Sequence, residues 1–137
     1  MKAYVDTSVA VRVLFGEPNP LPTWAQWTDA YASRLWHTEA LRVLERIRIE
    51  SRCEDDKAIR LRQSIDIVHG HFTIIPVTEQ ILSRAGEAFS TPIGTLDAIH
   101  LASALAVRDL IGLDVFLTHD VQLATAATAM GFAVEGV

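Results

Sequence analysis

Four carboxylates recur at comparable points of this 137-residue chain. Asp6 closes the short apolar run Ala3-Tyr4-Val5, and Glu39 stands at the head of His37–Ser51. Asp97 lies in Thr95-Leu96-Asp97-Ala98-Ile99-His100-Leu101, whose other members are mostly apolar, and Asp120 follows Val115-Phe116-Leu117-Thr118. Taken singly, each has an ordinary explanation: a turn for Asp6, the helix dipole for Glu39 and Asp97, an N-cap for Asp120. Gathered in one place, they would repel one another unless something positive sat between them. Hard cations prefer carboxylate oxygens and water, so Mg²⁺ or Mn²⁺ is the ion such a group would hold.

Whether the four meet depends on the elements that carry them. Thr95 to about Leu110 is apolar almost all round, which places this helix inside the core. Gly94 ends the loop before it, Thr95 is assigned as N-cap, and Asp97 falls in the first turn. Lys2–Val5 reads as a strand, with Thr7 and Ser8 able to cap a helix Val9–Phe15 that Gly16-Glu17-Pro18-Asn19-Pro20 breaks. Pro22–Ala30 reads as a second helix and Tyr31–Leu35 as a strand. His37–Ser51 carries Leu41, Val43, Leu44 and Ile47 at core spacings, which puts Glu39 in its first turn. Asp55 or Asp56 opens a helix to about Val68, and Phe72–Val77 is a strand with Pro76 near its end. Thr78 caps a helix to about Phe89, Val115–Thr118 is a strand, Val121–Met130 a helix ended by Gly131, and Phe132–Val134 a last strand.

Strands alternating with helices imply right-handed crossovers, a mostly parallel central sheet and helices on both faces: one three-layer αβα domain over residues 1–137. In such sheets ligands bind beyond the carboxyl ends of the strands. Asp6, Glu39, Asp97 and Asp120 are all expected at that edge, although more than a hundred residues separate the first from the last.

Half of the residues are hydrophobic, which argues against disorder. The acid at position 6 interrupts any signal-peptide core, and no apolar run approaches the ~20 residues of a membrane span. A soluble, cytoplasmic protein is expected. Cys53 is the only cysteine, which excludes internal disulfides and cysteine-rich zinc sites. The net charge of −5 disfavours a general nucleic-acid binder, although acids reserved for cations make a chain look more acidic than its ligand-facing surface.

Tyr4-Val5-Asp6-Thr7-Ser8, Glu39 at the start of a helix, Leu96-Asp97-Ala98-Ile99-His100-Leu101-Ala102 and Thr118-His119-Asp120 resemble, in order, the motifs of PIN-domain ribonucleases. Size and order are similar to the VapC-type toxins of toxin–antitoxin pairs, and the resemblance runs from Lys2 to Val134. It implies a PIN-like fold and Mg²⁺- or Mn²⁺-dependent hydrolysis of RNA phosphodiesters. Asp6 and Asp97 would be the principal metal ligands, and Glu39 and Asp120 would bind a second metal or the waters. Thr7, Ser8 and Thr118 would orient a carboxylate or a water from beside the ligands. A cognate antitoxin, an RNA substrate and a homodimer are the implied partners. Some relatives carry a further acid just before the third motif, where Ile93-Gly94-Thr95 has none. Glu45 and Glu50 share the helix of Glu39 but lie roughly 9 and 16 Å further along it.

The alternative is a PIN-like module that binds RNA or protein without cleavage. A receiver-type phosphotransfer domain fits poorly, because it needs a lysine near its last strand and no lysine follows Lys57. His100, three residues after Asp97, either hydrogen-bonds a carboxylate or is a satisfied, partly buried histidine. His119 should point away from its neighbours if the strand continues, and His69 and His71 read as helix-end residues. Arg42 with Arg46, Arg48 with Arg52, and Arg34, Lys57, Arg60 and Arg62 form either a solvated face or a surface for RNA or antitoxin. Trp24 and Trp27 pack in the core or form a groove for a partner's helix; the resemblance favours the antitoxin there.

Overall fold

The structure, a computed structural model, describes residues 1–51 and 53–137. Its elements are β1 (Lys2–Val5), α1 (Thr7–Leu14), β2 (Asp29–Ser33), α2 (Leu35–Glu50), α3 (Asp55–His71), β3 (Thr73–Ile75), α4 (Glu79–Ala85), α5 (Thr95–Ile111), β4 (Val115–Leu117), α6 (Val121–Ala129) and β5 (Val134–Glu135). The five strands form one sheet in the order β3-β2-β1-β4-β5. Every pairing is parallel, so the expected mostly parallel sheet is wholly parallel.

Successive residues of a strand face opposite sides of the sheet. Ala3, Val5, Val115 and Leu117 pack with Val9, Trp36, Ala40, Leu44 and Ile65 of α1, α2 and α3. Tyr4 and Phe116 face the other way, onto Leu101, Ala104 and Leu105 of α5 and Leu123 and Ala126 of α6. Tyr4 is register-paired with Tyr31 of β2 and Phe116 of β4, and stacks on Phe116 at 5.0 Å. Nine of the seventeen residues of α5 are buried, so it is a core helix, as its composition implied. Ile81 of α4 closes against Ile99 and Ala102 of α5.

Several boundaries differ from the expected ones. Residues 22–30 do not form a helix: Ala25 has φ 63°, and Thr28 and Asp29 turn back to bond the Met1 carbonyl at the head of β1. The expected strand Tyr31–Leu35 begins two residues earlier, at Asp29, and Leu35 already belongs to α2. Asp6, not Thr7 or Ser8, caps α1, which starts at Thr7. The residue capping α5 is Gly94, not Thr95, and no side chain bonds its first turn. The strand expected over Phe72–Val77 keeps only Thr73–Ile75, because Pro76 has no N–H to continue the ladder. Gly86 ends α4 at Ala85, short of Phe89. The last strand lies at Val134–Glu135 because the Phe132 N–H returns to Ala127, at the end of α6. No described helix is long and apolar enough to cross a membrane.

Candidate active site at the carboxyl edge of the sheet

β1 and β4 are neighbours, and the chain runs outward from them in opposite directions. Between their carboxyl ends is the switch point at which open α/β sheets bind ligands. A cleft of about 510 Å³ opens there, and Asp6, Glu39, Asp97 and Asp120 all line it. Val11, Leu35, Val43 and Leu96 supply apolar wall, and Arg42 supplies a cation.

Asp6 leaves β1 and is 5% exposed. Its Oδ2 accepts from the Ser8 hydroxyl at 2.6 Å, the Ser8 N–H at 3.3 Å and the Thr118 hydroxyl at 3.0 Å. Asp6 Oδ1 has no such donor among the described residues and lies 3.7 Å from His100 Nε2. Because Asp6 takes the cap position, Thr7 and Ser8 lie inside α1, and their hydroxyls are free to bond acids. Thr118, fully buried, accepts the Asp120 N–H at 3.0 Å while donating to Asp6, so it ties the acid after β4 to the acid after β1. Asp120 caps α6 through Oδ1, which accepts from the Leu123 N–H at 2.9 Å. Asp120 is thus an N-cap and a cleft acid at once.

Glu39 falls in the second turn of α2 rather than the first, since the helix begins at Leu35. Its Oε1 accepts from the Thr7 hydroxyl at 2.7 Å and from His100 Nε2 at 2.6 Å. Burial pushes its pKa up, but the hydrogen bond and charge of His100 and the Thr7 hydroxyl outweigh it, so Glu39 sits below the usual glutamate value. Asp97 moves the other way. Burial and then the charges of Asp120 and Asp6 hold its carboxyl above the usual aspartate value, and among the described residues no hydrogen bond offsets them. His100 is 1% exposed. Burial pulls its pKa down, yet the Glu39 hydrogen bond and the charges of Asp6, Glu39 and Asp97 leave it above the usual imidazole value. Both expectations for His100 therefore hold together: it is buried, and it bonds a carboxylate.

Among the described residues, Asp6 Oδ1, Glu39 Oε2, Asp120 Oδ2 and both oxygens of Asp97 receive no hydrogen bond. An all-oxygen set with unsatisfied negative charge suits a hard divalent cation. Among the described residues no three acidic, cysteine or histidine side chains clasp a common point tightly enough to hold an ion as they stand. Glu45 and Glu50 are elsewhere, in a separate pocket with Arg42 and Arg46, and Glu45 pairs with Arg48 at 2.6 Å. Arg52 lies outside the described residues.

The side chains of His37, His69 and His119 bond elsewhere than the four cleft acids, His37 Nε2 meeting Asp66 at 2.8 Å. His119 Nδ1 donates to the Gly136 carbonyl at 2.7 Å, and His69 Nδ1 accepts from the Trp36 indole at 3.1 Å. Trp24 and Trp27 meet edge to face at 5.0 Å and lean on Phe72, partly buried against the core. They line a pocket with Asp29 and Thr73, the first residues of β2 and β3, at the opposite edge of the sheet from the acids. Tyr4 was not singled out from sequence. Its hydroxyl meets His100 Nδ1 at 2.8 Å, and the available signal was a tyrosine inside an apolar strand, which needs a polar partner when buried.

A model of the PIN domain matches residues 3–128. Ribonuclease VapC47 of Mycobacterium tuberculosis is 32% identical over 136 residues, covering 94% of this chain and 92% of that protein. VapBC2 of Rickettsia felis, solved bound to a DNA fragment from its promoter, superposes with a TM-score of 0.66 at 16% identity over 98% of both chains. VapC20 of M. tuberculosis, described as a sarcin–ricin loop cleaving toxin, gives a TM-score of 0.66 at 19% identity, again over 98% of both. The last two likenesses are of fold.

Proposed function

The chain belongs to the PIN domain family, and from that premise we propose that it is a metal-dependent endoribonuclease, the toxin of a type II toxin–antitoxin pair acting in the cytoplasm. The observation that carries this reading is the meeting of Asp6, Glu39, Asp97 and Asp120, from four separate parts of the chain, in one cleft. Asp6 and Asp97 would be the principal ligands for Mg²⁺ or Mn²⁺, and Glu39 and Asp120 would serve a second ion or the waters. When bound, such an ion supplies a Lewis acid for a phosphodiester and makes water easier to ionise.

The chain's own residues prepare the cleft for that chemistry. Ser8 and Thr118 hold Asp6 Oδ2, which fixes the direction of Oδ1. Thr118 also bonds the backbone of Asp120, so one hydroxyl ties the acids after β1 and β4 to each other. Thr7 orients Glu39. Arg42 on the cleft wall offers positive charge to an RNA phosphate. A cognate antitoxin and a homodimeric state accompany the VapC-like reading. A PIN-like module without cleavage would not require all four acids on one cleft.

The test is cleavage of single-stranded and structured RNA by the purified chain in Mg²⁺ or Mn²⁺, with a chelator control and Asp97→Asn alongside. Cleavage by the wild type alone, abolished by chelation, is expected. Cleavage that survives the chelator, or an Asp97→Asn chain as active as wild type, would overturn the reading.

A further inference from the structure

We propose that His100 is a positioning residue for the cleft: it locks one oxygen of Glu39 and so presents the other, in a fixed direction, to a divalent cation. The proposal rests on the metal-dependent reading above and adds a role for a side chain that does not itself touch the ion.

Glu39 Oε1 receives two donors, His100 Nε2–H at 2.6 Å and the Thr7 hydroxyl at 2.7 Å. With both bonds on one oxygen, Oε2 is left for the cleft and the carboxylate cannot turn without breaking both. His100 is held from its other side. The Tyr4 hydroxyl lies 2.8 Å from Nδ1, and the two rings meet edge to face at 6.2 Å. Tyr4 is fully buried between Tyr31 and Phe116 in the sheet. The chain of contacts therefore runs from the rigid middle of β1, through one imidazole, to a carboxylate on α2. Whether the ring carries one proton or two, Nε2–H faces Glu39, because a carboxylate only accepts. The arrangement thus does not depend on the ionisation of His100.

A histidine filling space in the core would lack this coupling. Partners that orient a metal-binding carboxylate typically change metal affinity by about 10–100-fold when removed. The experiment is Mn²⁺ binding to the metal-free chain, measured by isothermal titration calorimetry, in a double-mutant cycle of His100→Leu and Glu39→Gln with thermal melts of every variant. His100→Leu is expected to weaken binding about 10–100-fold in the wild-type background and to cost nothing further on Glu39→Gln. Equal losses in both backgrounds would overturn the proposal, as would a folded His100→Leu chain with wild-type affinity. If His100→Leu does not fold, Tyr4→Phe takes its place in the cycle, since it removes only a hydroxyl. A several-fold loss that vanishes on Glu39→Gln is then expected, and unchanged affinity overturns the proposal. A wild-type chain that binds no Mn²⁺ overturns the metal-dependent reading together with this one. A wild-type chain that binds Mn²⁺, with variants that bind equally well, overturns the positioning role alone.

Discussion

Within the same cleft, Glu39 gives up its proton more readily than a free glutamate, and Asp97 holds its proton more tightly than a free aspartate. The cause is the choice of neighbour. Glu39 has an imidazole and a hydroxyl on Oε1, whereas Asp97 is half buried and faces Asp6 and Asp120. A carboxyl whose folded pKa is depressed contributes stability above its unfolded value and loses it as pH falls through the folded one. Glu39→Gln should therefore melt below wild type at about pH 6, and the gap should close as the pH drops below the ordinary glutamate value of about 4.3. Melts of both chains across that range check this, and a gap that widens on acidification would contradict it. For Asp97 the sign is reversed: its charged form is disfavoured in the folded, metal-free chain, so its ionisation costs stability as pH rises. The chemistry of these residue types was legible in the sequence; the split between them was not. It is set by contacts such as that of Thr7 with Glu39, 32 residues apart, and of His100 with Glu39, 61 apart.

At the scale of elements, the alternation of strand and helix was legible because β1, β3 and β4 are short, largely apolar runs followed by an acid, a proline or Thr118-His119-Asp120. The boundaries were less so, for local reasons. Trp24 and Trp27 are spaced like neighbours on a helix face, but Ala25 takes φ 63°, and an alanine gives no warning of that. Asp6, Thr7 and Ser8 are all good capping types; Asp6 takes the position because its carboxylate also gathers the Ser8 and Thr118 hydroxyls. The end of the chain is tied to the site by backbone geometry. Gly136 has φ 112°, and a Cβ there would come within 2.3 Å of the Thr118 carbonyl oxygen. Gly136→Ala should destabilise the chain by more than about 1 kcal/mol, since alanine meets both the positive φ and the clash. Denaturant unfolding measures this, and wild-type stability would contradict the close approach of Gly136 to the Thr118 carbonyl.

Across the whole molecule, the strand order β3-β2-β1-β4-β5 turns four distant positions into one cleft. Convergence could be argued from sequence because each acid was expected next to the carboxyl end of a strand, and a parallel sheet sends all such ends to one edge. The sequence does not reveal the pairs that cross the sheet, such as Thr118 with Asp6 or Tyr4 with His100. If the four acids form a cation site, a bound ion relieves their mutual repulsion. Thermal melts of wild type and Asp97→Asn, each with and without Mn²⁺, test it most directly. Without metal, Asp97→Asn should melt higher, because one repelling charge is gone. With Mn²⁺ the order should invert: wild type gains about 2.7 kcal/mol at a hundredfold excess over Kd, and the variant gains far less. Melting curves that keep the same order with and without Mn²⁺ would contradict the claim.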